Sequence, residues 1–493
     1  MRVFHLSASM LVLLSLFVGC TAFSGESVRS SSSSGGNSAV GSDFLPQGVA
    51  VGDVGSHSAL LWVRTDGPAS VQIEWATTSR WERASKFGTV VSPVSRTTSI
   101  ETTAETDYTL TISLEGLSPA TRYRYHVLVG SADQTSLELA PSLAAKGEFT
   151  TLPDATASAT VTFAWSGDLG GQKRCRQGAG GYPMFDVIRR QNPDFFLFLG
   201  DMIYSDDICP SPPNEPGADF KATTLQTYRI RHRYQRGAEA LRQLLETTPV
   251  YVTWDDHDVR NNFSGPFEEQ MPAGRQALRE YWPIASSADD PHRLYRRVRY
   301  GAALELFILD TRQYRSRNAD LDGPEKTMLG SAQLAWLLDG LRTSTATWQV
   351  IVTSVPLSIP KGGDASVPGN DGWAGGPDGT GFERERRVIA DTILNHRLKN
   401  VVFLAGDVHL AQVNAYDPNQ DGVIDFHEYI VGPLSARHGK LTATNDGLHP
   451  TQLFHESGFD NFGLVRVTQD EFSVSVVDEA GNRRFSHRVS ARP

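Results

Sequence analysis

The chain has 493 residues, and 46 Lys and Arg against 56 Asp and Glu leave it with a net charge of −10 at pH 7. Hydrophobic residues make up 40% and charged residues 21% of the chain, which excludes a disordered chain, a coiled coil and a collagen-like fibre. The acidic balance also argues against a nucleic-acid-binding surface, because such a surface has to be basic.

The first residues predict a lipoprotein signal peptide over 1–20. Arg2 gives a short positive region, an apolar run follows over 11–18, and Phe17-Val18-Gly19-Cys20 resembles a bacterial lipobox. Cleavage there would leave a lipid anchor on Cys20, although a plain signal peptide or an uncleaved anchor is also open. Either way the protein is expected in the bacterial cell envelope, at the outer membrane, periplasm or cell surface, or secreted. Residues 21–43 are rich in Ser and Gly and predict a flexible linker.

Residues 44–153 predict an all-β domain. Apolar and polar residues alternate over 59–64 and 71–75, as in half-buried strands. The segment 117–125 then matches the pattern L-x-P-x-T-x-Y-x-Y, which resembles the corner of fibronectin type III-like sandwiches. We therefore expect a fibronectin type III/Ig-like β-sandwich.

From about residue 158 to 493 the pattern changes to a layered α/β domain. Apolar runs of strand length alternate with helical stretches, one beginning at Ser331 and one over 382–397. The candidate strands are 161–165, 195–199, 250–254, 304–309, 349–353 and 401–404.

Five of these strands end in a polar motif. The motifs are Gly167-Asp168-Leu169-Gly170, Gly200-Asp201-x-x-Tyr204, Trp254-Asp255-Asp256-His257-Asp258 followed by Asn261-Asn262, Asp310-Thr311-Arg312, and Gly406-Asp407-Val408-His409. Ends of neighbouring strands meet at one sheet edge, where α/β proteins bind ligands. Crowded carboxylates repel one another unless cations neutralise them, and Asp, Asn, His and Tyr suit divalent metals or ferric iron. The other interpretation is that each Asp only caps a helix or forms a turn.

A carboxylate that bridges two metal ions would create a centre that activates water for attack at phosphorus. A nearby Arg would neutralise the phosphoryl oxygens, and Arg312 has the residue type and the position for this role. The motifs thus predict phosphoester hydrolysis.

In this order the motifs resemble those of the alkaline phosphatase D (PhoD-like) family. The resemblance covers about residues 44–490 and implies a calcineurin-like four-layer sandwich and an exported phosphodiesterase and phosphomonoesterase using Fe(3+) and Ca(2+). It implies that Asp201 bridges the metals and that Asp168, Tyr204 and His409 hold one of them. Asn262 or Asn261, Asp407 and Asp256 would hold the other.

The resemblance also implies that His257 faces the substrate or gives a proton to the leaving oxygen, and that Arg312 grips phosphate. His257 supporting an Asp ligand is the alternative. Some family members carry a Cys iron ligand in the first motif, where this chain has Ser166-Gly167-Asp168, so Zn(2+) or Mn(2+) stays open.

A second cation loop is predicted over 417–428. The segment fits the twelve-residue EF-hand pattern, with Gly422 at the sharp turn, but its flanks are not paired helices. A lone calcium loop would use Asp417, Asn419, Asp421, the backbone of Val423, Asp425 and Glu428. A polar hairpin without an ion is the alternative.

Cys175 and Cys209 are the two cysteines that follow Cys20. An exported protein meets oxidising conditions, so the sequence predicts a disulfide between them. A metal thiolate at Cys175, close to the first metal motif, is the rival interpretation.

The preferred function is a monomeric, lipid-anchored phosphoesterase that acts on a phosphate-ester substrate. The motifs Gly-Asn-His-Asp/Glu and Gly-His-x-His, expected in purple acid phosphatases, are absent from the sequence. The alternative is a non-catalytic or weakly catalytic cell-surface binding lipoprotein on a metallophosphatase scaffold.

Overall fold

The structure is a computed structural model that describes residues 44–86, 94–131, 142–362 and 367–493. The predicted signal peptide, Cys20 and the linker 21–43 lie outside the described residues. These described residues form one compact unit. Within the described ranges, no helix has both the length and the apolar composition needed to cross a membrane.

The chain alternates strands and helices, with a cluster of strands at each end. The strands are β1 Val49–Gly52, β2 Ser58–Arg64, β3 Ala69–Thr77, β4 Ser95–Arg96, β5 Ile100–Thr102, β6 Thr109–Glu115, β7 Arg122–Ser131, β8 Ser142–Thr150, β9 Val161–Ser166, β10 Phe195–Leu199, β11 Val250–Thr253, β12 Arg296–Tyr300, β13 Leu304–Ile308, β14 Trp348–Val352, β15 Val401–Ala405, β16 Ala411–Tyr416, β17 Phe426–Ile430, β18 Pro450–Glu456, β19 Asn461–Val467, β20 Glu471–Asp478 and β21 Arg483–Ser490. The α-helices are α1 Thr78–Lys86, α2 Met184–Arg190, α3 Leu225–Arg236, α4 Glu239–Leu245, α5 Met271–Tyr281, α6 Gly330–Thr343 and α7 Glu383–Asn395. The six strands predicted after residue 158 are confirmed as β9, β10, β11, β13, β14 and β15.

Two large sheets form the body of the molecule. One has nine strands in the order β21-β20-β19-β9-β10-β11-β1-β2-β6, and the other has seven in the order β12-β13-β14-β15-β17-β16-β18. Strands β9, β10 and β11 pair in parallel, and so do β13, β14 and β15. Their carboxyl ends therefore lie at common sheet edges, as predicted from the strand-ending motifs.

The layers follow from the way the apolar side chains pack. A core between the two sheets contains residues from both, such as Leu197 of β10 and Val350 of β14. The outer face of the nine-stranded sheet packs on α2, α4 and α5, with Leu241 as an example. The outer face of the seven-stranded sheet packs on α6 and α7, with Leu337 and Ile389. Helix, sheet, sheet and helix thus form a layered α/β sandwich.

The N-terminal region contains a helix as well as strands, and some of its strands join a sheet of the α/β domain. Helix α1 interrupts the predicted run of strands, and β3, β4, β5, β7 and β8 form a separate sheet. Strands β1, β2 and β6 instead extend the nine-stranded sheet, with β1 parallel to β11 where Gly52 meets Val250. A Cβ at Gly52 would come within 2.4 Å of Pro283 Cγ, so only glycine fits this approach.

A group of buried polar and aromatic contacts joins this N-terminal region to the helices, and we call it the Asp107 junction. Asp107 is bonded by Arg233 Nη1 at 2.8 Å and by the hydroxyl of Tyr281, and Arg64 Nε lies 3.5 Å away. The ring of His232 stacks on Tyr281 with centroids 5.3 Å apart. Each partner of Asp107 therefore comes from a different element of the fold.

Candidate metal centre

The site residues stand in loops directly after the strands. Asp168 follows β9, Asp201 follows β10, a short 3₁₀ turn Asp256–Asp258 follows β11, and Asp407 follows β15. Left-handed backbone dihedrals occur at Asp168, Asp201, Asn262, Asp407 and His409, with φ between 50° and 71°. Each such residue costs about 1 kcal/mol or more, so the surrounding fold holds these loops in place against local preference.

One end of the site brings together Asp168, Asp201, Tyr204 and His409. His409 Nε2 lies 3.2 Å from Asp168 Oδ1 and 2.9 Å from the Tyr204 hydroxyl. On the other side of the ring, Nδ1 donates to the backbone carbonyl of Arg437 over 2.6 Å. That bond fixes the ring orientation and directs the Nε2 lone pair at the carboxylates, as metal-bound histidines require.

The other end contains Asp255, Asp256, His257 and Asp407. Three sets of ligand atoms each lie within 4.8 Å of one another, and the sets overlap. They are Asp168, Asp201 and His409; Asp201, Asp256 and His257; and Asp255, Asp256 and Asp407. Asp201 belongs to the first two sets, so it occupies the place expected of a bridging ligand.

Five buried oxygens in this site have no hydrogen-bond partner among the described residues. They are Asp168 Oδ2, Asp255 Oδ2, Asp256 Oδ1, Asn262 Oδ1 and Asp407 Oδ2. Buried polar atoms are rarely left without partners, and these five are all oxygen acceptors. Their chemistry fits hard or borderline cations, so the residues present are suited to hold metal ions.

Electrostatics leads to the same conclusion. Burial, followed by repulsion from Asp256, Asp255 and Asp168, raises the pKa of Asp201 well above its usual range. Burial likewise raises the pKa of Asp407, although Lys361 opposes this effect. A cation between these carboxylates would remove the repulsion and restore their ionised form.

Arg312 does not occupy the substrate-facing position that the motif predicts. Its side chain is 0% exposed, and its Nη1 and Nη2 donate to the two oxygens of Asp371 over 2.7 and 2.8 Å. Its Nε bonds Asp255 Oδ1 at 2.5 Å. Because these carboxylates engage the guanidinium on both sides, Arg312 fixes them in position and has no free face for phosphate.

Lys361 is a cation at this site that sequence reasoning missed. Its ammonium pairs with Asp407 Oδ1 and lies 3.8 Å from Asp371 Oδ2, and its side chain is 26% exposed. Burial opposes its charge, but Asp407 and Asp256 raise the pKa of Lys361 well above its usual range. No motif pointed to it, because a lone lysine in a Gly-rich loop carries no pattern.

His257 is held by Asp206, a second residue that the motifs did not single out. Nδ1 of His257 lies 2.6 Å from Asp206 Oδ1, and the ring stacks on Tyr204 with centroids 4.2 Å apart. Burial alone would lower the pKa of His257, but Asp256 and Asp206 outweigh burial and raise it to about 9. The imidazole therefore carries a proton at neutral pH in the cation-free protein.

Asp258 builds the loop rather than offering ligands. Its carboxylate accepts from the backbone N–H groups of Asp201, Met202 and Asp255 at 2.9, 3.1 and 3.0 Å. It thereby fixes the loop that carries Asp201. Of the two asparagines left open by the sequence, Asn262 directs an unpartnered oxygen into the site, while the backbone N–H of Asn261 donates to Asp206.

Two predictions away from the centre have different outcomes. Cys175 and Cys209 form a disulfide with a Cα–Cα distance of 5.8 Å, which confirms the predicted pairing over the rival thiolate ligand. In the loop 417–428, Glu428 was wrong as a ligand, because it lies on β17 and accepts from Leu357 N and Asn414 Nδ2 at 2.6 and 3.0 Å. A calcium loop that uses Asp417, Asn419, Asp421, Val423 and Asp425 stays a prediction.

Taken with the layered sandwich, an acidic centre at the ends of parallel strands defines a metallophosphatase-like protein. Sequence models of the family described as "PhoD-like phosphatase" match residues 163–476, and those of "PhoD-like phosphatase, N-terminal domain" match residues 30–153. The chain belongs to the PhoD-like phosphatase family, as its motifs predicted.

Comparisons with individual proteins are consistent with this family. The chain is similar to "Alkaline phosphatase D" of Bacillus subtilis (strain 168), with 30% identity over 404 residues, or 73% of this chain and 64% of the relative's length. A solved structure of PhoD has a TM-score of 0.69 at 23% identity and covers 93% of this chain and 94% of its own. A purple acid phosphatase from yellow lupin (Lupinus luteus) seeds has a TM-score of 0.59 at 12% identity, over 90% of this chain and 75% of its own. These two structures are evidence for the fold alone.

Proposed function

We propose that the protein hydrolyses phosphate esters by means of cations held at the strand-end site. The observation that carries this proposal is the convergence at this site of five buried oxygens that have no hydrogen-bond partner among the described residues. A structural cluster would satisfy these oxygens with protein donors, because each unpartnered buried group lowers stability by about 1–3 kcal/mol. Membership of the PhoD-like phosphatase family supports the same reaction class.

Bound cations would supply a water of lowered pKa and positive charge for the phosphoryl oxygens. Asp168, Tyr204 and His409 would hold one cation, Asn262, Asp256 and Asp407 the other, and Asp201 would lie between them. Fe(3+) with Ca(2+) is our proposed pair, with Zn(2+) or Mn(2+) as the alternatives. Arg312 would balance the charge of Asp255 and Asp371, and Lys361 would balance part of the charge of Asp407.

His257 is our candidate general acid. Asp206 binds Nδ1, which leaves Nε2 to hold the proton that the leaving oxygen needs. His257 lines the open cleft next to the centre, so a leaving group can approach it from solvent. Stacking on Tyr204 restricts rotation of the ring and keeps Nε2 directed at the site.

The wider assignments are also proposals. The lipobox supports export, a lipid anchor on Cys20 and a place in the cell envelope, and we propose that the protein acts there as a monomer. We propose a boundary near residue 153 between the N-terminal region and the catalytic domain. The two family matches, 30–153 and 163–476, support it.

The function is tested by turnover of bis- and mono-p-nitrophenyl phosphate, with metal content measured on the same sample of the chain lacking residues 1–20. We expect both esters to be hydrolysed, and Asp201→Asn to lower kcat/KM by about a thousandfold because the shared carboxylate is lost. Asp186→Asn, whose partly exposed carboxylate on α2 pairs with Arg189, is the matched control and should keep full activity.

Normal turnover in Asp201→Asn would contradict the proposed centre. Bound metal without turnover of either ester would favour the binding-lipoprotein alternative.

A further inference from the structure

A cleft of about 720 Å³ opens beside His257. Four cationic side chains line it, and they come from four separate loops. These side chains are Lys173, Lys221, Arg260 and Arg437. The whole chain is acidic, with a net charge of −10, so a basic cleft next to a phosphoesterase centre is a local reversal of the protein's charge.

The charges in the cleft are not equally available. Arg260 is neutralised by Glu268, whose carboxylate lies 2.5 Å away. Asp206 is engaged by His257, and Asp207 accepts from the backbone N–H of Gln172 and its own neighbour Ile208. In the part of the chain that the structure describes, no carboxylate pairs with Lys173, Lys221 or Arg437.

Two of these three cations lie on segments whose backbone is hydrogen-bonded at or next to the centre. The carbonyl of Arg437 accepts from the ring of His409, so Arg437 is in direct contact with a proposed ligand through its backbone. Lys221 precedes Ala222, whose N–H donates to Ser205 at 2.7 Å, next to Tyr204. The backbone positions of Arg437 and Lys221 are therefore fixed beside the centre.

Lys173 lies in a turn with an uncommon backbone conformation. Gln172 and Lys173 both have left-handed dihedrals, with φ of 54° and 74°. The turn is held by Asp207 at the N–H of Gln172 and by Gln172 Oε1, which accepts from Arg437 N at 3.1 Å. Two consecutive non-glycine residues in this conformation are uncommon, and the turn links the loops of Lys173 and Arg437.

We propose that Lys173, Lys221 and Arg437 bind a second anionic group of the substrate, so that the site selects phosphate esters with negative charge beyond the scissile phosphate. This inference rests on the proposed function. The scissile phosphate would lie at the metal centre, and the further phosphate or carboxylate would lie in the cleft. Exposed cations without ion pairs recognise such groups by charge and hydrogen bonding.

The test compares two p-nitrophenyl esters with the same scissile bond. Thymidine 5′-(p-nitrophenyl phosphate) has one negative charge, and its 3′-phosphorylated form has a second phosphate. We expect kcat/KM to be about tenfold higher for the bisphosphate, since each exposed cation contributes about two- to fivefold. The triple variant Lys173→Ala, Lys221→Ala, Arg437→Ala should lose this preference but still hydrolyse the simpler ester.

Salt and control variants sharpen the result. The preference should fall between 0.05 and 0.5 M salt, because exposed charges are screened over about 8 Å at 0.15 M. Lys146→Ala changes an exposed lysine on β8 and should keep the full preference for the bisphosphate. Arg260→Ala should lower that preference less than the triple variant does.

Equal kcat/KM for the two esters in the unmodified protein, or a triple variant that keeps the preference, would overturn the inference and leave the proposed function intact. If neither ester is hydrolysed, the proposed function fails and calorimetry with thymidine 3′,5′-bisphosphate decides the inference separately. Binding about tenfold weaker in the triple variant supports the cleft as an anion site, and unchanged binding overturns it.

Discussion

The metal centre and the Asp107 junction both bury carboxylates, but only the junction supplies protein donors to both oxygens of its carboxylate. Asp107 is 7% exposed and has Arg233, Tyr281 and Arg64 around it. Asp168 and Asp407 are similarly buried, and each keeps an oxygen without a hydrogen bond. The difference teaches that the same residue type stabilises the fold where its bonds are complete and provides a binding site where they are not.

The largest effect on the free energy of unfolding is expected at the Asp107 junction. Asp107→Asn would leave Arg64 and Arg233 buried without their shared carboxylate, and we expect a loss of about 3 kcal/mol in the free energy of unfolding. Metal content should not change, because no residue of the junction lies in the loops that carry the centre. Urea unfolding and metal analysis of the same sample measure both, with exposed Asp66→Asn as the matched control. A variant that loses metal as well would show that the two regions are coupled.

An intermediate effect on the free energy of unfolding is expected from the titration of His232. Burial, with Arg236 and Arg231 nearby, lowers the pKa of His232 to about 3 from its usual 6.5. The folded protein thus keeps His232 neutral while the unfolded chain takes up a proton below pH 6.5, so this residue lowers stability as pH falls from 6.5 towards 3. At pH 5 the loss is about 2 kcal/mol relative to pH 8.

His232→Phe removes that titration and keeps the stacking on Tyr281. Neither ring nitrogen of His232 has a hydrogen-bond partner among the described residues, so no bond is lost. Stability curves between pH 5 and 8 should be flatter for the variant than for the original protein. Parallel curves would show that His232 is not the group responsible.

The smallest effect on the free energy of unfolding is expected at the metal centre, and its sign is opposite to that at the Asp107 junction. In chelator-treated protein, Asp201→Asn removes one of several mutually repelling buried carboxylates, and we expect stability to rise by about 1 kcal/mol. Added metal should then stabilise the original protein and not the variant. If the chelated variant is less stable, the carboxylate has a structural role that outweighs the repulsion.

Much of this molecule was readable from the sequence because the signals are local. Apolar runs of strand length predicted six strands, and the polar residues immediately after them predicted which loops carry Asp168, Asp201, Asp256, Asp407 and His409. A strand that ends at a given residue fixes where the next side chains emerge, so the clustering of these residues follows from parallel pairing. The disulfide followed from two remaining cysteines in a chain whose sequence predicts export.

Other features depend on packing that no local pattern records. Glu428 fits position 12 of a calcium loop by spacing, yet β17 alternates its side chains and directs Glu428 inward to Asn414 and Tyr416. The nine-stranded sheet likewise includes β1, β2 and β6, because the pairing of β1 with β11 joins segments about two hundred residues apart.

The sequence by itself determined the strands, the order of the motifs and the family, because these depend on residue type and spacing. Tertiary structure alone decided that Arg312 clamps Asp371 and Asp255, and that Lys361 pairs with Asp407. It also decided that no described carboxylate pairs with Lys173, Lys221 or Arg437. The reason is physical: the partner of a buried or cleft-facing charge is set by which distant loop packs beside it. Residue type fixes what a side chain can bind, and packing fixes what it meets.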